Sequence, residues 1–191
     1  MTFDDGPDAH WTPLVLDALA EHRAPATFFV IAPLASAQPG LVARILAEGH
    51  RIELHCDEHR RHSTQTAAWG AADTGRALAR LRALGIQARL WRTPWGDEAP
   101  WTRLLAAARG LQVVGWNAST RDWRGDSASF MFGAIQRKLT DGAIVLAHDG
   151  MGPGALRSGC EHTISLVHLI TAHASDAGHR LVLLDEHGQA R

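Results

Sequence analysis

Short apolar runs alternate along this chain with longer segments in which hydrophobic residues recur every three or four positions. A short apolar run is typical of a buried strand, and the longer spacing is typical of a helix with one face on a core. The runs predict seven strands, Met1–Phe3, Ala26–Ile31, His50–Leu54, Arg89–Arg92, Leu111–Trp116, Ala143–Ala147 and Arg180–Leu184. Strands that alternate with helices predict an α/β fold built on a parallel sheet, either open or closed.

Proline, serine and glycine residues mark the ends of the predicted helices. Helices are predicted to begin at Thr12-Pro13, Pro39 and Pro100, with Gly49, Gly85 and Gly110 ending the second, third and fourth, and the last to run from Cys160 to Ala177. Ser127 or Ser129 is predicted to cap the fifth. The side chains predicted to face the core are Leu16, Leu19, Ala20, Leu78, Leu81, Leu84, Leu104, Leu105, Ala108, Ile135 and Leu139.

Composition narrows the class of protein. The 191 residues predict one domain spanning 1–191, and 46% hydrophobic residues are enough for a core. A net charge of -1 predicts no nucleic-acid partner, and no apolar run approaches the length of a membrane span. Only Cys56 and Cys160 are present, which fits a reducing compartment. If the chain is complete, we expect a cytoplasmic location; the pattern leaves the oligomeric state open.

Residues with chemical potential follow the predicted strands. Asp4-Asp5 follows the first strand, His55 the third, Trp116–Trp123 the fifth and His148 the sixth, while Arg92 ends the fourth. The carboxyl ends of parallel strands open on one face of a sheet, where active sites assemble. The clustering therefore predicts a functional site at that face.

The segment Asp4-Asp5-Gly6-Pro7 places two carboxylates side by side after a short apolar run. Adjacent like charges repel, so a partly buried pair needs a cation or a catalytic task to compensate for the repulsion. One interpretation is a metal ligand beside a general base. The other is an exposed acidic turn, because Asp-Gly and Gly-Pro are common in turns.

His55 and His59 are four positions apart, a spacing that on a helical turn aims both rings at one point. Asp5 would complete a set of two histidines and one carboxylate, which suits a catalytic zinc or a similar divalent ion. Coincidence is the alternative in a chain with twelve histidines. His62 is out of register with this pair, and we interpret it as a solvated loop histidine.

The same five residues match H-x-x-E-H, an inverted zinc-protease motif in which Glu58 would be the base. That motif requires a long helix carrying both histidines. Here it directly follows a predicted strand, and it leaves Asp4-Asp5 unexplained.

Three further segments have weaker signals. Arg92, in an Arg-Thr-Pro-Trp-Gly segment, could hold a carboxylate bidentately, or could form a structural salt bridge in a surface loop. Asp122 could hold a histidine tautomer and Trp123 could line a pocket, or the two could form an acidic turn with a packed ring. His148 ends a strand, where it is placed for proton transfer, although a lone histidine there is more often structural.

Taken together and in order, these segments resemble the motifs of the polysaccharide deacetylase family (the NodB-homology domain, carbohydrate esterase family four). The family pattern is T-F-D-D-G-P, H-[ST]-x-x-H, R-x-P-[aromatic]-G, D-x-x-D-W and L-x-H. The matching segments here are Thr2–Pro7, His55–His59, Arg92–Gly96, Ser119–Trp123 and Leu146–His148.

The resemblance implies a distorted (β/α)7 barrel that removes N-acetyl, or alternatively O-acetyl, groups from carbohydrate. It implies one divalent metal ion, either zinc or one of cobalt, nickel and manganese, and an acetylated glycan or oligosaccharide as partner. Water activated by the metal would attack the acetyl carbonyl. The implied roles are Asp5, His55 and His59 as metal ligands, Asp4 as base, His148 as acid, Arg92 as partner of Asp4, Asp122 as partner of His148, Trp123 and Leu146 as pocket residues, and Trp95 as donor of a backbone N–H to the oxyanion.

Departures from the pattern leave other functions open. Cys56 replaces Ser or Thr, so the ligand loop could be held less firmly, or the thiol could reach the metal or be oxidised. Ser119 replaces the first Asp of its motif, and we expect this change to be tolerated because the second Asp has the supporting role. The alternatives are hydrolysis of a non-sugar amide, cyclic imide or ureide on the same fold, and a non-catalytic sugar-binding domain. The loop Gly150–Gly159 contains several glycines and is predicted to close over a ligand.

Overall fold

The computed structural model describes residues 1–190, in which seven strands form one sheet. The strands are β1 (Thr2–Asp4), β2 (Thr27–Ile31), β3 (Arg51–Cys56), β4 (Leu90–Trp91), β5 (Gln112–Val113), β6 (Ala118–Ser119) and β7 (Val145–His148). The helices are α1 (Trp11–Glu21), α2 (Ala32–Ala37), α3 (Pro39–Ala47), α4 (Ala67–Ala83), α5 (Thr102–Ala108), α6 (Ala128–Ile135) and α7 (Glu161–Asp176). Among these described helices, none combines the length and the apolar character needed to cross a bilayer.

All the strand pairs in the sheet are parallel, and their order is β5-β4-β3-β2-β1-β7-β6. The two edge strands, β5 and β6, are consecutive in the chain. The five steps from Val113 to Ala118 span at most about 18 Å. The edges therefore lie close to each other, and the sheet curls into a barrel that is left open between β5 and β6.

Side chains alternate between the inside and the outside of this barrel. Phe3 and Phe28 face outward and stack with their ring centroids 5.2 Å apart, within the large apolar cluster that the helices cover. A second, smaller cluster fills the barrel interior and consists of Phe29, Leu90, Val114 and Leu184. Polar residues occupy the remaining inward positions towards the carboxyl ends of the strands, which leaves that end free for a site.

The prediction of a strand at Arg180–Leu184 is wrong. In the structure this segment closes the amino end of the barrel: the N–H of Leu184 donates to Thr27 Oγ1, and Arg51 donates to the carbonyl of Leu184. The segment has the apolar pattern of a strand because Leu184 is buried. Its side chain is buried at the amino end of the barrel interior, and the segment does not join the sheet. The strand that the sequence pattern did not predict is β6, Ala118–Ser119, because two residues are too few to form a recognisable apolar run.

Most helix boundaries are as predicted, and Ser127 is the cap of α6, accepting from the N–H of Phe130. The pattern did not reveal α2, which follows β2 without a loop. Three side chains predicted to face the core, Ala20, Leu104 and Ala108, are exposed. In α5 the buried positions are instead Thr102 and Ala106, because the helix is rotated so that Thr102 reaches His62.

Candidate active site

Asp4 and Asp5 lie at the carboxyl end of β1, and both are buried. In a regular strand, neighbouring side chains point to opposite faces. Asp5 departs from strand geometry with φ of 74°, in the left-handed region that non-glycine residues rarely adopt. This turn brings both carboxylates to the same cavity, as a ligand beside a base requires, and it excludes the exposed acidic turn.

Asp5, His55 and His59 converge in this cavity. Asp5 Oδ1 lies 3.3 Å from His55 Nε2 and 3.1 Å from His59 Nε2. Burial raises the pKa of Asp5, but the two histidines outweigh burial and hold that pKa well below its usual range. The three residues offer ligand atoms that all lie within 4.8 Å of one another.

The chemistry of these donors fits a divalent metal ion. The Nδ1 atom of His55 lies 2.7 Å from the carbonyl oxygen of Arg92, so Nδ1–H donates there and Nε2 is the ring atom turned towards Asp5. Asp5 Oδ1 is buried without a hydrogen-bond donor among the described residues. A buried anionic oxygen beside two imidazole nitrogens is the environment that a cation would satisfy. These residues could therefore hold the ion, although the histidines lie on a strand end and a loop rather than on a helix.

The zinc-protease alternative is excluded by this local structure. Residues 55–59 form the end of β3 and a bend, not a helix. Glu58 is half-exposed and pairs with Arg76 at 2.9 Å and Arg60 at 3.0 Å. It is thus engaged at the surface and is not a base facing the two histidines.

Asp4 is held by Arg92, which is fully buried on β4's carboxyl side. One guanidinium nitrogen of Arg92 lies 2.9 Å from Asp4 Oδ1 and also donates to Thr2 Oγ1. The other terminal nitrogen donates to the carbonyl of Gly115. The contact with Asp4 is therefore not bidentate, as the sequence suggested it could be, because the second terminal nitrogen is bonded to Gly115 in the segment between β5 and β6. Arg92 therefore holds one oxygen of the Asp4 carboxylate in place within the buried site.

His148 ends β7 and pairs with Asp122. The distance from His148 Nδ1 to Asp122 Oδ1 is 2.7 Å, and the His148 N–H donates to Asp122 Oδ2. Burial lowers the pKa of His148, but Asp122, assisted by Asp5 and Asp4, raises it to about 9. Burial likewise raises the pKa of Asp122, and His148 and Arg157 lower it below its usual range. His148 is therefore an imidazolium at neutral pH, the form that can donate a proton.

A cavity of about 470 Å³ opens over these groups. Its wall includes the predicted pocket residues Trp95, Trp123 and Leu146, and also Trp116 and Ser119. Trp95 and Trp123 are 41% and 39% exposed at the cavity mouth. The guanidinium of Arg61 lies over the Trp95 ring, 4.6 Å from the ring centroid. A second cavity, of about 360 Å³, lies at the opposite end of the barrel and contains none of the predicted site residues.

Two other predictions near the site are corrected. His62 is not a solvated histidine: it is buried, with its ring 4.7 Å from the ring of Trp101. Cys56 does not join the ligand set, because the ligand atoms that converge are those of Asp5, His55 and His59. Its thiol is buried, and burial raises the pKa of that thiol well above the usual value. The ligand loop is held instead by α4, where Asp73 accepts from the N–H groups of Asp57 and Glu58.

Sequence reasoning missed several buried polar residues of the site. Thr120, Arg157 and Thr163 all donate to the carboxylate of Asp122. Asp149, next to His148, accepts from Thr12, and burial raises its pKa to about 7. A polar residue in a loop or at a helix start has no periodic pattern, so no signal in the sequence distinguished these four from surface residues.

A parallel barrel with buried acids, histidines and arginines at the carboxyl ends of its strands defines an α/β-barrel enzyme. The polysaccharide deacetylase family model matches residues 1–114. A chitooligosaccharide deacetylase from Bradyrhizobium sp. (strain ANU 289) is 38% identical over 160 residues, which are 83% of this chain and 73% of the relative. The chain belongs to the polysaccharide deacetylase family.

Solved structures agree with the predicted fold. The family 4 carbohydrate esterase from Streptomyces lividans, in complex with acetate, superimposes with a TM-score of 0.89 at 25% identity, covering 100% of this chain and 94% of that one. The Bc1960 peptidoglycan N-acetylglucosamine deacetylase gives 0.88 at 28% identity, covering 96% and 84%. The expectation of a distorted (β/α)7 barrel is confirmed.

Proposed function

We propose that this protein is a metal-dependent deacetylase that hydrolyses the acetamido groups of N-acetylglucosamine units in a glycan or oligosaccharide. The observation that carries the proposal is a pair of opposed proton-transfer groups, Asp4 and His148, on one cavity with the Asp5, His55 and His59 cluster. The names of the relatives support the substrate class, because they act on chitooligosaccharide and on peptidoglycan N-acetylglucosamine.

Asp5, His55 and His59 would hold one divalent ion, for which zinc is the proposed identity. When bound, such an ion lowers the pKa of water towards about 7 and polarises a carbonyl. Asp4 lies beside the cluster and is paired with the buried guanidinium of Arg92. Asp4 therefore accepts the proton of the attacking water as the new C–O bond forms.

His148 supplies the second proton transfer. An amine is a poor leaving group until its nitrogen is protonated, so the reaction needs an acid on the amine side. Asp122 keeps His148 protonated and binds Nδ1, which leaves Nε2–H free to donate. As the C–N bond breaks, that proton passes to the departing amine, and acetate and the free amino sugar are the products.

The tryptophans support the proposal that the substrate is a carbohydrate rather than another amide. Trp95 and Trp123 present partly exposed rings at the mouth of the cavity, and such rings stack on the apolar faces of sugars. Trp95 has φ of 56°, which turns the chain within the Pro94–Gly96 turn. We propose that this turn directs the Trp95 N–H to the oxyanion, and that Leu146 contacts the acetyl methyl.

Acetate release from chitooligosaccharides tests this function. Wild-type protein should release acetate, lose that activity with a chelator and regain it with zinc. Asp4→Asn should lower the rate by about 10²–10⁴-fold, because the base is removed, while bound metal remains at one equivalent. Asp17→Asn, at an exposed position on α1, is the matched control and should keep wild-type activity. Full activity of Asp4→Asn would refute the assignment of the base.

A substrate panel tests the chemical class. Acetylated chitooligosaccharides and peptidoglycan fragments should be hydrolysed, whereas cyclic imides and ureides should not. Turnover of the imides with no acetate from any sugar would replace this proposal with the non-sugar alternative. Glu58→Gln should be silent throughout, since Glu58 pairs with Arg76 at the surface.

A further inference from the structure

The carboxylate of Asp122 is surrounded by more donors than its pairing with His148 requires. Oδ1 accepts from His148 Nδ1 and from Thr120 Oγ1 at 3.1 Å. Oδ2 accepts from the His148 N–H at 2.9 Å, from Arg157 at 2.8 Å and from Thr163 Oγ1 at 2.8 Å. With donors on both oxygens, the carboxylate has one orientation in which all of them are satisfied.

Arg157 connects this carboxylate to two other parts of the site. Its side chain is almost completely buried, although it belongs to the glycine-rich loop after β7. The nitrogen that does not contact Asp122 donates to the carbonyls of His148 at 3.1 Å and Gly150 at 2.9 Å. The backbone N–H of Arg157 donates to the carbonyl of Trp123. One residue thus contacts Asp122, the backbone of His148 and the pocket wall.

We propose that Arg157 is a positioning residue for deacetylation: with Thr163 it fixes the Asp122 carboxylate, and through Asp122 it orients the His148 ring towards the departing amine. The inference rests on the function proposed above, and it adds a residue outside the five matched segments.

The reason lies in how the imidazole ring is held. His148 receives one side-chain contact from Asp122, and the orientation of its ring follows the position of Oδ1. The donors on Oδ2 stop the carboxylate from rotating about its Cβ–Cγ bond and so help to keep Oδ1 in place beside the ring. Arg157 supplies a positive charge at Oδ2 within a buried site, where charge-assisted hydrogen bonds are strongest. Thr163 also accepts from Arg157 at 2.6 Å, which aligns both donors.

A purely structural role predicts different behaviour. If Arg157 only anchors the loop to the barrel, its loss should lower thermal stability and raise KM through the loosened pocket wall. A positioning role predicts that kcat falls while KM stays close to the wild-type value. It also predicts that an activated aryl ester such as 4-nitrophenyl acetate is spared, because its leaving group needs no proton from His148.

The experiment compares wild-type, Arg157→Gln and Arg157→Lys proteins on a chitooligosaccharide and on 4-nitrophenyl acetate. Arg157→Gln should lower kcat for the amide by about 10–100-fold, the range seen when a supporting contact to a functional residue is lost. The ester rate should change by less than about 2-fold, well below that range. Arg157→Lys retains the charge and should recover part of the loss. Arg109→Gln, at an exposed arginine after α5 that donates to the carbonyl of Ala71, should match the wild type on both substrates.

A double-mutant cycle with Asp122→Asn decides whether Arg157 acts through Asp122. The double variant should be no slower than Asp122→Asn alone, because the contact is already lost. If the rate losses of the two single variants multiply in the double variant, or if Arg157→Gln slows amide and ester hydrolysis equally, the inference is overturned.

Thr163→Val removes one donor to Oδ2 and should show the same amide-selective loss if Arg157→Gln does not fold. Wild-type protein that releases no acetate would overturn the proposed function itself, whereas an active wild type matched by Arg157→Gln and Thr163→Val would overturn only this inference.

Discussion

At the scale of single residues, the site depends on charges that stabilise one another in a buried space. Asp4 is paired with Arg92 and Asp122 with His148 and Arg157, so each of these two buried acids has a cationic partner. An unpaired buried charge is strongly unfavourable. The pairs therefore make it possible for the proposed base, Asp4, and the proposed acid, His148, to lie side by side on the neighbouring strands β1 and β7 in the same cavity.

The pair formed by His148 and Asp122 gives a titration that can be measured. In metal-free protein, the imidazole of His148 should titrate with a pKa of about 9, above the ordinary 6.5, and Asp122→Asn should bring it down towards 6.5. A pKa raised on folding stabilises the protein fully below about pH 6.5, and that contribution is lost as the pH rises through 9. Nitrogen-15 NMR of the histidine rings would measure both values; an unchanged pKa in Asp122→Asn would contradict the pairing.

At the scale of elements, the glycine-rich loop after β7 is shaped by its approach to β1. A Cβ atom at Gly152 would collide with Asp5 Oδ2, and one at Gly150 would lie 2.6 Å from the Asp5 carbonyl oxygen. Only glycine lets the backbone pass this close to the proposed metal ligand. The loop is therefore tied to the site by Gly150, Gly152 and Arg157, while Leu156 at its outer side is 75% exposed.

Gly152→Ala should weaken metal binding, since the methyl group displaces the Asp5 carboxylate. We expect zinc affinity to fall by about 10–100-fold, the effect of disturbing the support of a metal ligand. Zinc titration against a competing chelator would measure it. Gly133→Ala is the control: apart from its own helix backbone, none of residues 1–190 has an atom within 4 Å of the added Cβ, and the exchange inside α6 should leave affinity unchanged. Equal affinities for all three proteins would show that the loop does not support Asp5.

The C-terminal segment is the second element with an unexpected position. Leu184 is buried against Phe29, Leu90 and Val114 at the barrel floor. Leu184→Ala should lower the free energy of unfolding by about 2–5 kcal/mol, because it leaves a cavity in a closed space. Leu104→Ala, at a position 74% exposed on α5, should change it by less than about 0.5 kcal/mol. Urea unfolding of both variants would measure the two changes in the free energy of unfolding. Similar changes for the two variants would contradict the packing of Leu184 inside the barrel.

At the scale of the whole molecule, the proposed metal site joins parts of the barrel that are not neighbours. Asp5 follows β1 and His55 ends β3, with β2 between them, while His59 lies on the loop beyond. An ion bound only by the folded arrangement stabilises the fold by mass action.

Zinc should therefore raise the free energy of unfolding by about 2.7 kcal/mol when its free concentration is 100 times the dissociation constant. His59→Ala should abolish most of that gain, because one of the proposed ligands is removed. His187→Ala, an exposed histidine near the C-terminal end, should retain it. Thermal unfolding with and without zinc would measure the shifts; a full zinc effect in His59→Ala would place the ion elsewhere.

Sequence alone determined the alternation of strands and helices and the residue types at the strand ends, because the periodicity and the motifs are local properties of the chain. It identified Asp4, Asp5, His55, His59, Arg92, Asp122 and His148, all of which line or support one cavity in the structure. Tertiary structure alone decided how these groups meet. The left-handed turn at Asp5, the contact of Arg157 with a carboxylate 35 positions earlier, and the burial of Leu184 inside the barrel all depend on contacts between distant segments, which no local pattern encodes.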